Sequence, residues 1–173
     1  KVEGPKSEIL REKQFATIQS SNNRIPSKAR LNILLENYKN GRYEETEKLA
    51  VSITKDFPEY SFGWKVLGAV LGVLDRKSEA MNANQKAVSL SPQDAEAHSN
   101  MGIALKELGR LDEAEASYNH AIALKPDYAE AYSNLGVTLQ ELGRLDEAEA
   151  SYNQAIALKP NYAVTHFNLG ITL

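Results

Sequence analysis

Pro58, Pro92, Pro126 and Pro160 recur every 34 residues. A fixed period of that length means one supersecondary unit stacked on copies of itself. Segments 95–128 and 129–162 differ at only 7 of 34 positions, and their shared core reads E-L-G-R-L-D-E-A-E-A-S-Y-N, then A-I-A-L-K-P. In such a chain the greasy faces of each unit are covered by the adjacent copies.

Within each unit the pattern is helical. Ala97, Met101, Ala104, Leu105 and Leu108 recur at steps of three and four, and so do Leu111, Ala114, Tyr118, Ala121, Ile122 and Leu124. Gly109 lies between the two stretches, where a helix C-terminus favours a residue free to take positive φ. Asp112 and Glu113 place negative charge in the first turn of the second helix. Pro126 stops that helix, because it lacks an N–H and clashes with the preceding turn. Each unit therefore reads as helix, tight turn, helix, stop. Gly102, Ala114 and Ala121 keep the helices close, and Leu105 and Tyr118 fill the space between them.

Tyr132, Leu135, Gly136, Leu139, Ala148, Tyr152, Ala155 and Pro160 follow, position by position, the pattern of the tetratricopeptide repeat. Trp64, Leu67, Gly68, Leu71, Ala80, Ala87 and Pro92 follow it one register earlier, departing at Asn84. The chain thus resembles that family, and its repeats are most similar to those of bacterial multi-repeat proteins and the repeat arm of O-linked N-acetylglucosamine transferases. The resemblance implies an all-α fold, a right-handed α-solenoid of stacked antiparallel helix pairs. The expected organisation is an N-terminal extension at 1–26, a degenerate unit at 27–60, and units at 61–94, 95–128 and 129–162. The first helix of a fifth unit fills 163–173. In the degenerate unit Leu34 stands where Gly is usual and Thr46 where Ala is usual. Lys6–Gln19 is a weak helix candidate, read as a tail or a docked strap. The parent protein is expected to continue past Leu173, since the apolar face of Ala163–Leu173 has no partner in the sequence.

Composition narrows the function. Hydrophobic residues make up 42% and charged residues 25% of the 173, which suits a folded chain. The absence of cysteine removes disulfides, thiol nucleophiles and thiolate metal sites. It fits the cytoplasm, the expected location, although a removed leader is compatible with a start that lacks Met. Residues 1–94 carry 15 Lys and Arg against 12 Asp and Glu, a net +3, whereas residues 95–162 carry 5 against 11, a net −6. No strong basic face points to nucleic acid, and no apolar run approaches the roughly 20 residues that span a bilayer. Partners are therefore expected among proteins or peptides, with neither nucleic acid nor membrane.

No catalytic residue, cofactor site or metal site is expected. His98 and His166 occupy the aromatic packing position and lie 68 residues apart, two full repeats, so they cannot share a metal. Asp112, Glu113 and Glu115 recur as Asp146, Glu147 and Glu149, as helix starts require and a catalytic pair does not. Glycine-rich phosphate loops, Ser/His/Asp sets and zinc spacings are missing.

By resemblance, positions 2, 5, 6, 9, 12 and 13 of each unit face a concave groove. Position 6 holds Asn32, Val66, Asn100, Asn134 and Asn168. An asparagine offers both a donor and an acceptor, so a row of them could hold a peptide backbone whatever its side chains. The transferase arm uses such a ladder on its substrates. Lys65, Val66, Ala69 and Val73 make the second unit's share of the groove largely apolar, and Lys106 and Gln140 contribute in the next two. That apolar patch is expected to take an apolar peptide, with the N-terminal segment as one candidate. A clamp for a C-terminal carboxylate is not expected, because Ala69, Glu130 and Asn134 replace its Asn and basic residues. The expected function is a scaffold binding an extended peptide or partner helix. The alternative is the recognition arm of a larger enzyme, a glycosyltransferase, sulfotransferase or methyltransferase. Self-association through the uncapped helix 163–173 is a third reading.

Overall fold

The computed structural model describes residues 25–172. Every regular element among them is an α-helix: α1 (Lys28–Lys39), α2 (Tyr43–Asp56), α3 (Ser61–Val73), α4 (Lys77–Leu90), α5 (Ala95–Glu107), α6 (Leu111–Leu124), α7 (Ala129–Glu141), α8 (Leu145–Leu158) and α9 (Ala163–Thr172). They fall into two compact units, divided between Tyr60 and Ser61. The proposed strap Lys6–Gln19 lies outside the described residues.

The first unit is the hairpin of α1 and α2. Ser27 caps α1 by accepting from the backbone N–H of Arg30 at 3.3 Å. Arg30 reaches across the pair to Ser52 at 2.6 Å and Asp56 at 2.7 Å. Leu34 and Thr46 are both fully buried. Thr46 tolerates that because its hydroxyl donates to the carbonyl of Arg42 at 2.7 Å. Leu34 puts a bulky side chain where the other hairpins carry glycine, and α1 and α2 touch less extensively than those pairs do.

The second unit is an α-solenoid. α3 packs on α4, α5 on α6 and α7 on α8, each second helix also packs on the next first helix, and α9 lies against α8. The hairpin turns share one backbone device. Gly109 and Gly143 adopt φ of +72° and +75°, and Gly41 does the same in the first unit at +71°. After Gly109, the Arg110 N–H returns to the Leu105 carbonyl at 3.0 Å, closing the end of α5. Asp75 occupies the equivalent place between α3 and α4 with φ +58°, a conformation that costs a side chain-bearing residue energy. The second helices then start with a bidentate pair: Arg110 on Glu113 at 2.7 and 2.6 Å, and Arg144 on Glu147 at 2.7 and 2.6 Å.

Tyrosine against glycine sets the close approach within each hairpin. Tyr118 and Tyr152 are fully buried and belong to one core with Leu105, Ala114, Leu135, Leu139 and Ala148. A Cβ at Gly102 would come within 2.7 Å of the Tyr118 ring, and one at Gly136 within 2.5 Å of the Tyr152 ring. In α4 the tyrosine is replaced by Asn84, which donates to the Asn100 carbonyl at 3.1 Å and whose own Oδ1 has no partner among the described residues.

Candidate functional site

Successive first helices of the second unit touch one another, α3 with α5, α5 with α7 and α7 with α9, and no comparable contact joins the second helices. A stack whose members meet on one side only curves toward that side. The first helices therefore line its inner face. On α5 and α7 the residues left accessible there repeat at steps of four, three and four: Glu96, Asn100, Ile103 and Glu107, then Glu130, Asn134, Val137 and Glu141. That spacing keeps them on one helix stripe.

Asn100, Asn134 and Asn168 occupy matching places on α5, α7 and α9, each half-buried. Among the described residues their side-chain amides make no hydrogen bond, so donors and acceptors stay available on three consecutive helices. Asn32, in the first unit, is exposed on α1.

The other residues singled out from the sequence are placed differently. Val66 is only 8% exposed, whereas Val73 is 51% exposed at the end of α3 and Ala69 is half-buried. The second unit's apolar patch is thus smaller at its centre than its sequence suggests. Lys65 is drawn into the joint between α3 and α5, where its Nζ lies 2.9 Å from Asp94 and 2.7 Å from Glu96. Burial pulls this ammonium down, but its hydrogen bonds to Glu96 and Asp94 outweigh that and hold it above the ordinary lysine range. Burial likewise opposes ionisation of Asp94, and Lys65 outweighs it, keeping the carboxyl below its usual range. Asp94 also caps α5, accepting from the N–H groups of Glu96 and Ala97 at 2.9 and 3.2 Å.

Position 5 is closed rather than open in the middle of the stack. Ser99 and Ser133 are buried, and Ser133 shares a 2.8 Å hydrogen bond with the buried Thr165 of α9. Position 12 separates two otherwise near-identical units. Gln140 accepts from the Tyr152 hydroxyl at 3.0 Å. Its counterpart Lys106 instead lies between Glu107 at 3.2 Å and Glu141 at 3.5 Å, and the buried Tyr118 hydroxyl has no partner among the described residues. Burial, then the charges of Glu107 and Glu141, push that hydroxyl far above the ordinary tyrosine range. Burial with Glu141 pushes Tyr152 up to about 12.

Two of the histidines make the same backbone contact. Nε2 of His98 donates to the Pro92 carbonyl at 2.9 Å, and Nε2 of His166 does the same to Pro160 at 2.8 Å, so one contact recurs two units apart. Sequence reasoning missed that the ring of His120 lies 4.1 Å from that of His98. No cluster of three or more potential metal ligands occurs among the described residues. None of the described helices is long and apolar enough to cross a membrane.

Residues 93–161 match the tetratricopeptide repeat family model. No curated protein sequence matches the chain. The fold is similar to that of TTC0263, a thermophilic TPR protein in Thermus thermophilus, at 26% identity and a TM-score of 0.72, covering 80% of this chain and 77% of that one. It is also similar to the first TPR of Spaghetti (RPAP3), at 26% identity and a TM-score of 0.63, covering 65% of this chain and 89% of that one. YrrB, a TPR protein, shares the fold at 20% identity and a TM-score of 0.67, covering 90% of this chain and 80% of that one. The 34-residue period, the stacked hairpins it builds and the family-model match make residues 93–161 tetratricopeptide repeats, and the stack they belong to shares the fold of tetratricopeptide repeat proteins.

Proposed function

We propose that the second unit is a protein-interaction scaffold that holds an extended stretch of another polypeptide along its inner face. The observation that carries this reading is the row of unengaged amides on Asn100, Asn134 and Asn168. Each offers a donor and an acceptor, which is what a peptide backbone needs at regular intervals. Two similar folds lend support: the first TPR of Spaghetti (RPAP3) is bound to the HSP90 peptide SRMEEVD, and YrrB has an unusual peptide-binding site. A free C-terminal carboxylate is a poor guest here, because Lys65 is already held by Asp94 and Glu96. The role is binding, with no chemistry of its own.

The test is selection of a displayed peptide library on the full chain, followed by affinity measurement on Asn100→Ala/Asn134→Ala. Each lost backbone hydrogen bond removes about 1 kcal/mol, so the double variant should bind the selected peptides roughly tenfold to thirtyfold more weakly. Selected peptides that bind both proteins equally would place recognition elsewhere.

A further inference from the structure

The seven positions that separate the two near-identical units leave the accessible stripe almost unchanged in kind, and that stripe has a definite chemistry. Beside the asparagine row runs an aliphatic row, Ile103, Val137 and Ile171, of which Ile103 is 39% and Ile171 59% exposed. Toward the helix starts lie Glu96 and Glu130, and toward the helix ends Glu107 and Glu141. Amide and aliphatic rows are thus bordered on both sides by carboxylates.

The lysines near this face do not reverse its sign. Lys159 lies 2.8 Å from Glu130 and holds that carboxyl below its usual range, Lys106 bridges Glu107 and Glu141, Lys77 lies 3.8 Å from Glu107, and Lys65 lies 2.7 Å from Glu96. The four glutamates are themselves half-exposed, and ion pairs of carboxylates in such surroundings are worth little, so a guest cation can share or replace these partners at small cost. Residues 95–162 as a whole carry a net −6, a field that favours approach of positive chains.

Resting on the peptide-binding reading, we infer that the inner face of residues 95–172 selects an extended partner segment that alternates aliphatic side chains with lysine or arginine. The aliphatic groups cover the Ile103, Val137 and Ile171 row, the backbone meets the asparagines, and the cations reach the glutamates at either border. Alternation suits this arrangement because successive side chains of an extended peptide point to opposite sides.

The experiment uses the full chain and three fluorescein-labelled peptides of about twelve residues, followed by anisotropy; alternate side chains give each two faces. One alternates Lys with Val, one Glu with Val, and one Lys with Ser. The Lys–Val peptide should bind at least tenfold tighter than either control, and more weakly as salt is raised. Ile103→Ser should remove the advantage over Lys–Ser. Glu107→Gln/Glu141→Gln, which leaves the packed core untouched, should remove most of the advantage over Glu–Val together with the salt dependence. Equal binding of all three peptides, or preference for a control, overturns the inference. If library-selected peptides still depend on Asn100 and Asn134 in that case, the peptide-binding reading survives alone; if they do not, both readings fall. A synthetic peptide of residues 6–19 that displaces Lys–Val while binding more tightly would reassign the face to the chain's own segment. A concentration-dependent dimer in sedimentation that excludes the probe would reassign it to a second copy. Either result overturns selection of a partner.

Discussion

The hydroxyl of Tyr152 donates to Oε1 of Gln140, 3.0 Å away, and the same hydroxyl on Tyr118, one unit earlier, has no partner among the described residues, because Lys106 replaces that glutamine and turns to Glu107 and Glu141. A buried hydroxyl without a partner costs about 1–3 kcal/mol. Tyr118→Phe should therefore be neutral or stabilising, whereas Tyr152→Phe should lose about 1 kcal/mol. Lys106→Gln should raise stability by about 1 kcal/mol, less whatever its part-exposed ion pairs contribute. Thermal unfolding of the three variants decides this; equal losses for the two phenylalanines would refute it.

Two glycines on the same layer of helices should respond in opposite directions to alanine. The Tyr152 ring against Gly136 is fully buried and cannot yield, so Gly136→Ala should cost roughly 1–3 kcal/mol. A Cβ at Gly72 meets nothing within 4 Å, and Gly72→Ala should gain up to about 1 kcal/mol in helix preference. Urea midpoints moving the same way in both would contradict the packing described.

Asp75 holds a positive φ that glycine supplies at the three matching turns. Its ion pair with Lys77, at 3.4 Å and largely exposed, offers little compensation. Asp75→Gly should stabilise the chain by about 0.5–1 kcal/mol, and Gly109→Asp should reverse that in the next turn. The check is the shift in denaturant midpoint, and a fall for Asp75→Gly would be the wrong sign.

Asp94 joins two roles that substitution can separate. Asn is as good a helix cap as Asp, so Asp94→Asn keeps the cap and loses the charge on Lys65, while Asp94→Ala loses both, with about 1 kcal/mol more damage. The folded carboxyl is more acidic than the unfolded one. Its contribution is complete above about pH 4, the unfolded value, and disappears as pH falls through the lower folded value. Wild-type stability should then drop more steeply than that of Asp94→Asn between pH 4 and pH 2. Parallel pH profiles would show that the pair with Lys65 adds nothing.

The helices were legible in the sequence because each is written several times with the same apolar spacing, and Gly109 marks its turn without ambiguity. What escaped depends on distances between different elements. The stacking of His120 on His98 joins residues 22 apart on neighbouring helices, a separation that no period announces. Lys65 reads as a free cation until the path of the chain brings Asp94 and Glu96 beside it. Val66 reads as a groove residue by position yet is nearly covered, while Asp75 breaks the glycine rule and keeps the glycine backbone. The asparagines were singled out because the family resemblance assigns position 6 to the groove, and their lack of partners among the described residues is a property only three dimensions reveal.

The one-sided contact between α3, α5, α7 and α9 also sets what deformation the stack tolerates. Tightening the arc would drive together side chains already in van der Waals touch, which close-packed protein resists steeply. Straightening it only loosens those touches. The inner face thus has a hard minimum radius and a soft maximum, so the stack opens under load more readily than it closes.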